Sequence, residues 1–283
     1  MEFLLNEKSL EGQFDSITSF LMSIKPVIKN IELIHKSNMP IYKTTDFYNC
    51  KITKNKKLCD LKNCEYAEEL LRLKLSLDRE IYDKPQWDME PFHDLYEEFM
   101  WNKENVTTTS LAEAAIRNGA LLSFYMEVFK DKILEISNEQ NTYYVNSIYT
   151  RQYLVEKYRD QMKIEPEEYL KIICEDTRID CSTLEEKYGV KILEKDEFDS
   201  LITTLNKFIN HESWETIAID DGLEYKKYTP KEKKKNWFVG SKYSGKTIMK
   251  FRFSDTMRCF GYRKGDKFKI LRLERDHTIS NNG

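Results

Sequence analysis

From Thr247 to Leu273 the side chains change character at every second position, and this stretch restricts the fold most tightly. Met249, Phe251 and Phe253 alternate with Ile248, Lys250 and Arg252, the period of a strand with one buried face. Three strands are expected, at 247–253, 257–263 and 268–273, with Lys264-Gly265 as a tight hairpin turn between the last two. Phe198, Leu201, Ile202, Leu205 and Ile209 recur at helical spacing upstream, so Met249, Phe251 and Phe253 are expected to pack on that helix. The opposite face then carries Lys246, Lys250 and Arg252 on one strand and Arg258, Phe260 and Tyr262 on the next. Cations interleaved with aromatic rings suit a surface that neutralises phosphates and stacks bases.

Gly240 to Thr247 also satisfies the letters of a nucleotide phosphate loop, G-x-x-x-x-G-K-[ST]. Such a loop works only when a helix follows, because the helix N-terminus supplies the N–H groups and the dipole. Here a period-two run follows and a Lys-rich loop precedes. The match is read as a glycine-containing turn leading into a sheet, and no nucleotide cofactor is expected.

Charge is spread unevenly. The formal net charge is −3, yet residues 225–275 hold 17 Lys and Arg against four acids, a local +13 that leaves −16 for the rest. That asymmetry points to an anionic partner for the basic segment or to an acidic surface on which it docks. With 283 residues, 40% hydrophobic and 33% charged, the chain suits one large domain or two modest ones. No apolar run reaches a membrane span and no secretory signal is visible, so a cytoplasmic protein without a membrane partner is expected. None of the six cysteines forms a Cys-x-x-Cys pair. Cys50, Cys59 and Cys64, with His35 or His93, match no standard zinc spacing. Ordinary free thiols and no metal are the expectation.

The fold class expected is α+β: a mainly helical N-terminal region with short strands, residues 1–184, then a basic α+β domain, 185–283, with an antiparallel sheet packed on a helix. The boundary is sought near 180–189. Strands are expected at 1–5, 41–43, 133–136, 190–193 and 214–219. Helices are expected at 14–31, divided at Pro26, at 65–82, after a capping box at Ser110, from Pro166 and, rich in tyrosine, at 141–159. His93, among Trp87, Phe92, Tyr96, Phe99 and Trp101, reads as a packed histidine rather than a catalytic one.

Lys-Phe-Arg-Phe at 250–253, Arg-Cys-Phe-Gly-Tyr-Arg at 258–263, Phe-Lys-Ile-Leu at 268–271, Asp-His at 276–277 and the 198–209 helix together resemble the RelE/ParE superfamily of small bacterial toxins, over about residues 185 to 280. Some members are ribonucleases that cleave translated messenger RNA by attack of a ribose 2′-OH on the adjacent phosphate. The resemblance implies that Lys250, Arg252 and Arg258 stabilise the phosphorane charge and that His277 or Tyr262 exchanges protons. Lys242, Lys246, Lys250, Phe260 and Arg263 would then bind the nucleic acid. The implied activity is a metal-independent endoribonuclease of an anti-phage or toxin–antitoxin system, with RNA as the favoured partner and an antitoxin or defence-system protein as another. The chain departs from the family in its long N-terminal region and in showing one helix where the toxins have a pair. The alternatives are a non-catalytic nucleic-acid-binding protein and an interaction protein whose basic sheet docks on an acidic partner.

Overall fold

The computed structural model describes residues 1–63, 67–230, 236–276 and 279. The chain divides into two units, Met1–Ile164 and Glu165–Gly283, and the fold class is α+β as expected.

In the first unit, in chain order, stand β1 (Phe3–Leu5), α1 (Ile17–Ser23), α2 (Lys25–Lys36), β2 (Ile41–Tyr42), β3 (Lys51–Thr53), β4 (Lys56–Lys57), α3 (Glu68–Tyr82), β5 (Met100–Trp101), β6 (Glu104–Asn105), α4 (Ser110–Ile116), β7 (Ala120–Leu122), β8 (Lys132–Ser137), β9 (Thr142–Ile148) and α5 (Arg151–Tyr158). Seven strands form one sheet in the order β2-β1-β7-β9-β8-β5-β6. The first four are parallel and the rest antiparallel. The unit therefore holds more strand than a mainly helical region suggests. Phe3, Leu4 and Leu5 are all buried, as a central parallel strand requires. Pro26 divides the first helical run as expected. It stands in the first turn of α2, where its missing N–H costs nothing.

Two local readings of this unit change. Residues 141–159 are half strand and half helix. Thr142 to Ser147 pair with Lys132–Ser137, and Thr150 then caps α5 by accepting from Tyr153 N. The hairpin contact outweighs helix propensity, which tertiary pairing readily overrides. The cap of α4 is Thr109 rather than Ser110, because the Ser110 hydroxyl accepts from Trp87 Nε1 at 2.9 Å. Glu113 is thereby left to the interior. It accepts from Phe92 N at 3.0 Å, from the His93 ring and from Arg117. His93 is a packed histidine, held between Glu113 and the carbonyl of Thr107.

The second unit contains α6 (Pro166–Ile173), β10 (Ile179–Asp180), α7 (Lys195–Asn210), α8 (Trp214–Ala218), β11 (Lys226–Lys227), β12 (Met249–Arg252), β13 (Arg258–Lys264) and β14 (Lys267–Glu274). Its sheet runs β10-β14-β13-β12-β11. All neighbours are antiparallel except β10, which joins β14 in parallel. The division at 164/165 precedes the expected 180–189 because Ile179 and Asp180 belong to this second sheet. Trp214–Ala218, within the expected strand 214–219, is helical, not extended, since Ser213 and Thr216 form a reciprocal cap. Val190–Ile192 is a 3-10 turn instead of a strand.

Helix α7 buries Phe198, Leu201, Ile202, Leu205 and Phe208. The Phe208 ring meets Phe251 at 5.2 Å, Phe268 at 5.6 Å, Trp214 at 5.7 Å and Tyr225 at 5.8 Å. Packing of Phe251 on this helix is as expected. Gly261 admits no side chain, because a Cβ there would stand 2.3 Å from Lys269 O and 2.6 Å from the Phe268 ring.

Truncation of Phe208 to Ala is expected to destabilise the second unit by about 3 to 5 kcal/mol, read as a lowered denaturant midpoint by tryptophan fluorescence. The Asp180 carboxyl supplies a pH test. Burial raises its pKa, but Lys269 and the hydrogen bonds from Ser182 outweigh that and bring it down to about 2. A depressed carboxyl stabilises the fold above its unfolded value and loses that contribution as protons bind. Unfolding midpoints should therefore fall as the pH drops from 3.8 toward about 2, and Asp180→Asn should remove part of that dependence.

Candidate nucleic-acid interface

Strand alternation places one set of side chains against α7 and the other set away from it. The outward set is held in register: Lys250 lies opposite Phe260, which lies opposite Arg272, and Arg252 lies opposite Arg258, which lies opposite Glu274. Tyr262 faces Lys269 on the same side. Lys250, Arg252, Arg258, Phe260 and Tyr262 thus share a face, as the sequence pattern requires. A register shift after Phe260 leaves Leu271 as the extra residue of β14.

That face is not open. Residues on either side of 231–235 cover it, and Tyr228, Phe238, Tyr243 and Ile248 form a buried cluster with Phe260 and Leu271. Tyr228 and Trp237 meet the Phe260 ring edge-on at 5.2 and 5.4 Å. Phe260 is fully buried, so it belongs to a core and cannot stack a base. This corrects its expected role.

The central cations are held inside the unit. Lys250 is 3% exposed, and its Nζ sits 5.8 Å from the Tyr228 ring centroid. Burial, then the nearby charges of Lys226 and Arg258, lower its pKa. Arg258 is 7% exposed. Its Nη1 donates to the carbonyls of Ser254 at 2.9 Å, Asp255 at 3.2 Å and Met257 at 2.9 Å, and burial lowers its pKa. Arg252 Nη1 pairs with Glu224 Oε1 at 2.8 Å. A phosphate arriving at this trio would have to displace partners already made, at the cost of leaving them unpaired. Burial of Lys250 and Arg258 corrects the expectation that they face solvent, whereas Arg252 is half-buried and paired with Glu224.

Arg272, which the sequence pattern did not single out, organises the cover. Its Nε and Nη2 donate to the two carboxylate oxygens of Glu185, each at 3.0 Å, and Nη1 donates to Trp237 O at 2.6 Å. The guanidinium lies 4.7 Å from the Phe238 ring, 4.9 Å from Tyr188 and 5.1 Å from Trp237. Glu185 is 87 positions away in the chain, and no local motif announces the pairing.

What stays open is the rim. Lys242 and Lys246 are exposed. Lys242 Nζ lies 5.2 Å from the Tyr243 ring and Lys246 Nζ 5.6 Å from the Tyr262 ring, and those rings are 6.2 Å apart. Neither lysine has a carboxylate partner among the described residues. Arg263 is not part of this group, because it leans over Trp214 at 4.2 Å and donates to Gly265 O. His277 lies outside the described residues, as does Cys64 of the cysteine trio. Among the described residues no group of three His, Cys, Asp or Glu is placed to hold a metal. The 240–247 match to a phosphate loop is a run of turns, with Gly240 and Gly245 at positive φ, leading to β12.

Replacing Arg272 by Ala strands the half-buried Glu185 and unpins the 237–238 cover. The expected outcome is a loss of about 3 to 5 kcal/mol with readier quenching of Trp237 fluorescence by iodide. Comparisons with protein-family models, with curated proteins and with solved structures each return no match.

Proposed function

We propose that the second unit is an RNA-binding module that grips a single strand at the rim formed by Lys242, Lys246 and the half-buried Tyr262, and that the protein acts as an RNA-targeting effector. One observation carries this reading: two exposed ammonium groups without carboxylate partners among the described residues each lie over a tyrosine ring. An ammonium beside an aromatic face answers both halves of a nucleotide, the phosphate by charge and the base by stacking. The preference for RNA over DNA comes from the RelE/ParE resemblance.

A second reading is the toxin-like endoribonuclease of a bacterial defence system, with an antitoxin or defence-system protein as partner. It is favoured by the grouping of Lys250, Arg252 and Arg258 on one face of the sheet. It requires that face to be uncovered first.

Fluorescence anisotropy with short labelled single-stranded RNA and DNA tests the proposal. Binding at low salt should weaken steeply as salt rises, and Lys242→Ala with Lys246→Ala should flatten the log–log salt slope by about 1.4, about 0.7 for each phosphate no longer neutralised. No affinity for RNA or DNA at low salt overturns the proposal and leaves the basic segment as a protein-docking surface. Gel analysis of the same RNA decides the second reading: cleavage by the wild type that disappears in His277→Ala supports it, and binding without cleavage eliminates it.

A further inference from the structure

In the first unit, the run from Trp87 to Phe99 is pinned at both ends and in the middle, yet it turns four large apolar side chains to solvent. Trp87 is buried, and its backbone N donates to Lys43 O at 3.0 Å while Nε1 donates to Ser110 Oγ at 2.9 Å. In the middle, the buried Glu113 carboxylate accepts from Phe92 N at 3.0 Å and His93 N at 3.3 Å and meets the His93 ring. At the far end Phe99 is fully buried, and its N donates to Thr107 Oγ1 at 2.8 Å. The turns between are closed by Glu90 N donating to Trp87 O at 3.2 Å and Tyr96 N donating to Asp94 Oδ1 at 2.9 Å. On this fixed backbone Met89 is 68% exposed, Phe92 66%, Leu95 51% and Tyr96 97%. Single exposed apolar residues are ordinary on a protein surface, but a group of them on an anchored loop marks a place where something docks.

Charge decides what kind of partner fits. From Pro85 to Asn102 the chain carries five carboxylates, Asp88, Glu90, Asp94, Glu97 and Glu98, and no Lys or Arg. Glu90, Asp94 and Glu98 are exposed, and none of them has a cationic partner among the described residues. Arg117 lies close, its guanidinium 3.8 Å from the Phe92 ring. Its side chain is almost wholly buried and paired with Glu2 and Glu113, so it offers no charge to solvent. We propose that the 88–98 loop is a docking surface for a separate protein, and that its occupant is a basic amphipathic segment, one that alternates apolar residues with Lys or Arg. The proposal concerns the first unit and does not rest on RNA binding by the second.

The chemistry of the loop matches that occupant residue by residue. Glu90 adjoins Met89, Asp94 adjoins Leu95, and Glu98 stands two positions from Tyr96, so apolar and cationic side chains of one segment are answered together. Phe92 is backed by the Arg117 guanidinium, which leaves most of the ring open to an apolar side chain or to a second cation. Aromatic anchors of this kind supply most of the energy at protein interfaces, and Met89 can adjust its shape to the fit. Because the buried anchors already fix the backbone, association orders little of this chain beyond its side chains. The same carboxylates repel a nucleic acid or an anionic lipid surface and draw in a polycation, an attraction that salt weakens.

The test uses the full chain and a labelled, helix-forming amphipathic peptide built of Leu and Lys only, followed by fluorescence anisotropy. The wild type should bind it, and a peptide of the same pattern built of Leu and Glu should not bind. Leu95→Ser with Tyr96→Ser should weaken binding about tenfold or more, and Glu90→Gln with Glu98→Gln should weaken it and flatten its salt dependence. Lys242→Ala with Lys246→Ala, on the second unit, should leave it unchanged. All four positions of the first two variants are exposed, so their unfolding midpoints should equal that of the wild type, which separates a lost contact from a lost fold. No binding of the Leu–Lys peptide, or equal binding by the Leu95→Ser, Tyr96→Ser variant, overturns the proposal. Sedimentation showing that the wild type self-associates and that the same variant is monomeric also overturns it, since a second copy then covers the loop.

Discussion

The second unit depends on how one guanidinium is satisfied. Arg272 stands in mid-strand on the sheet face turned away from α7, where an unpaired charge would be intolerable once covered. Glu185 meets it with both oxygens, the carbonyl of Trp237 takes a third N–H, and three aromatic rings close around the plane. Arginine suits this position because its planar fork can bond at its edge and stack on its faces at once. With the charge answered in this way, Tyr228, Trp237 and Phe238 can settle over Phe260 and turn a polar face into a second small core.

That arrangement changes what a basic sheet means. A count of lysines and arginines along a strand reports which face they occupy, not whether the face is wet. Lys250 and Arg258 are spent on ring contacts and backbone carbonyls, and Arg252 on Glu224. The cations carried past the edge of the cover, at 242 and 246, keep their charge available to solvent.

Much of the fold could be read from local pattern. The alternation through 247–273, the turn at Lys264-Gly265 and the stripe on 198–209 lead directly to β12, β13, β14 and α7, because side-chain period is set by the backbone and needs no distant partner. The misreadings have a common physical origin. Residues 142–148 became a strand because 132–137 was there to pair with, and 214–218 became a helix through a cap residue just outside the apolar run. The face carrying the expected site was legible, while its cover was not. The cover rests on Arg272 meeting Glu185 across 87 positions, and nothing short-range encodes that meeting.

The parallel pairing of Ile179–Asp180 with Phe268–Lys269 has a consequence for biosynthesis. These partners are separated by nearly the whole second unit, so β10 emerges from the ribosome long before the strand that completes its edge exists. Until β14 has been made, α7 has only part of its sheet to rest on, and Phe208 must wait for Phe268. Contacts so distant in sequence are slow to form and leave apolar surface uncovered meanwhile. A nascent chain stalled anywhere between 180 and 267 therefore presents an unfinished layer to its surroundings, a natural substrate for chaperone capture.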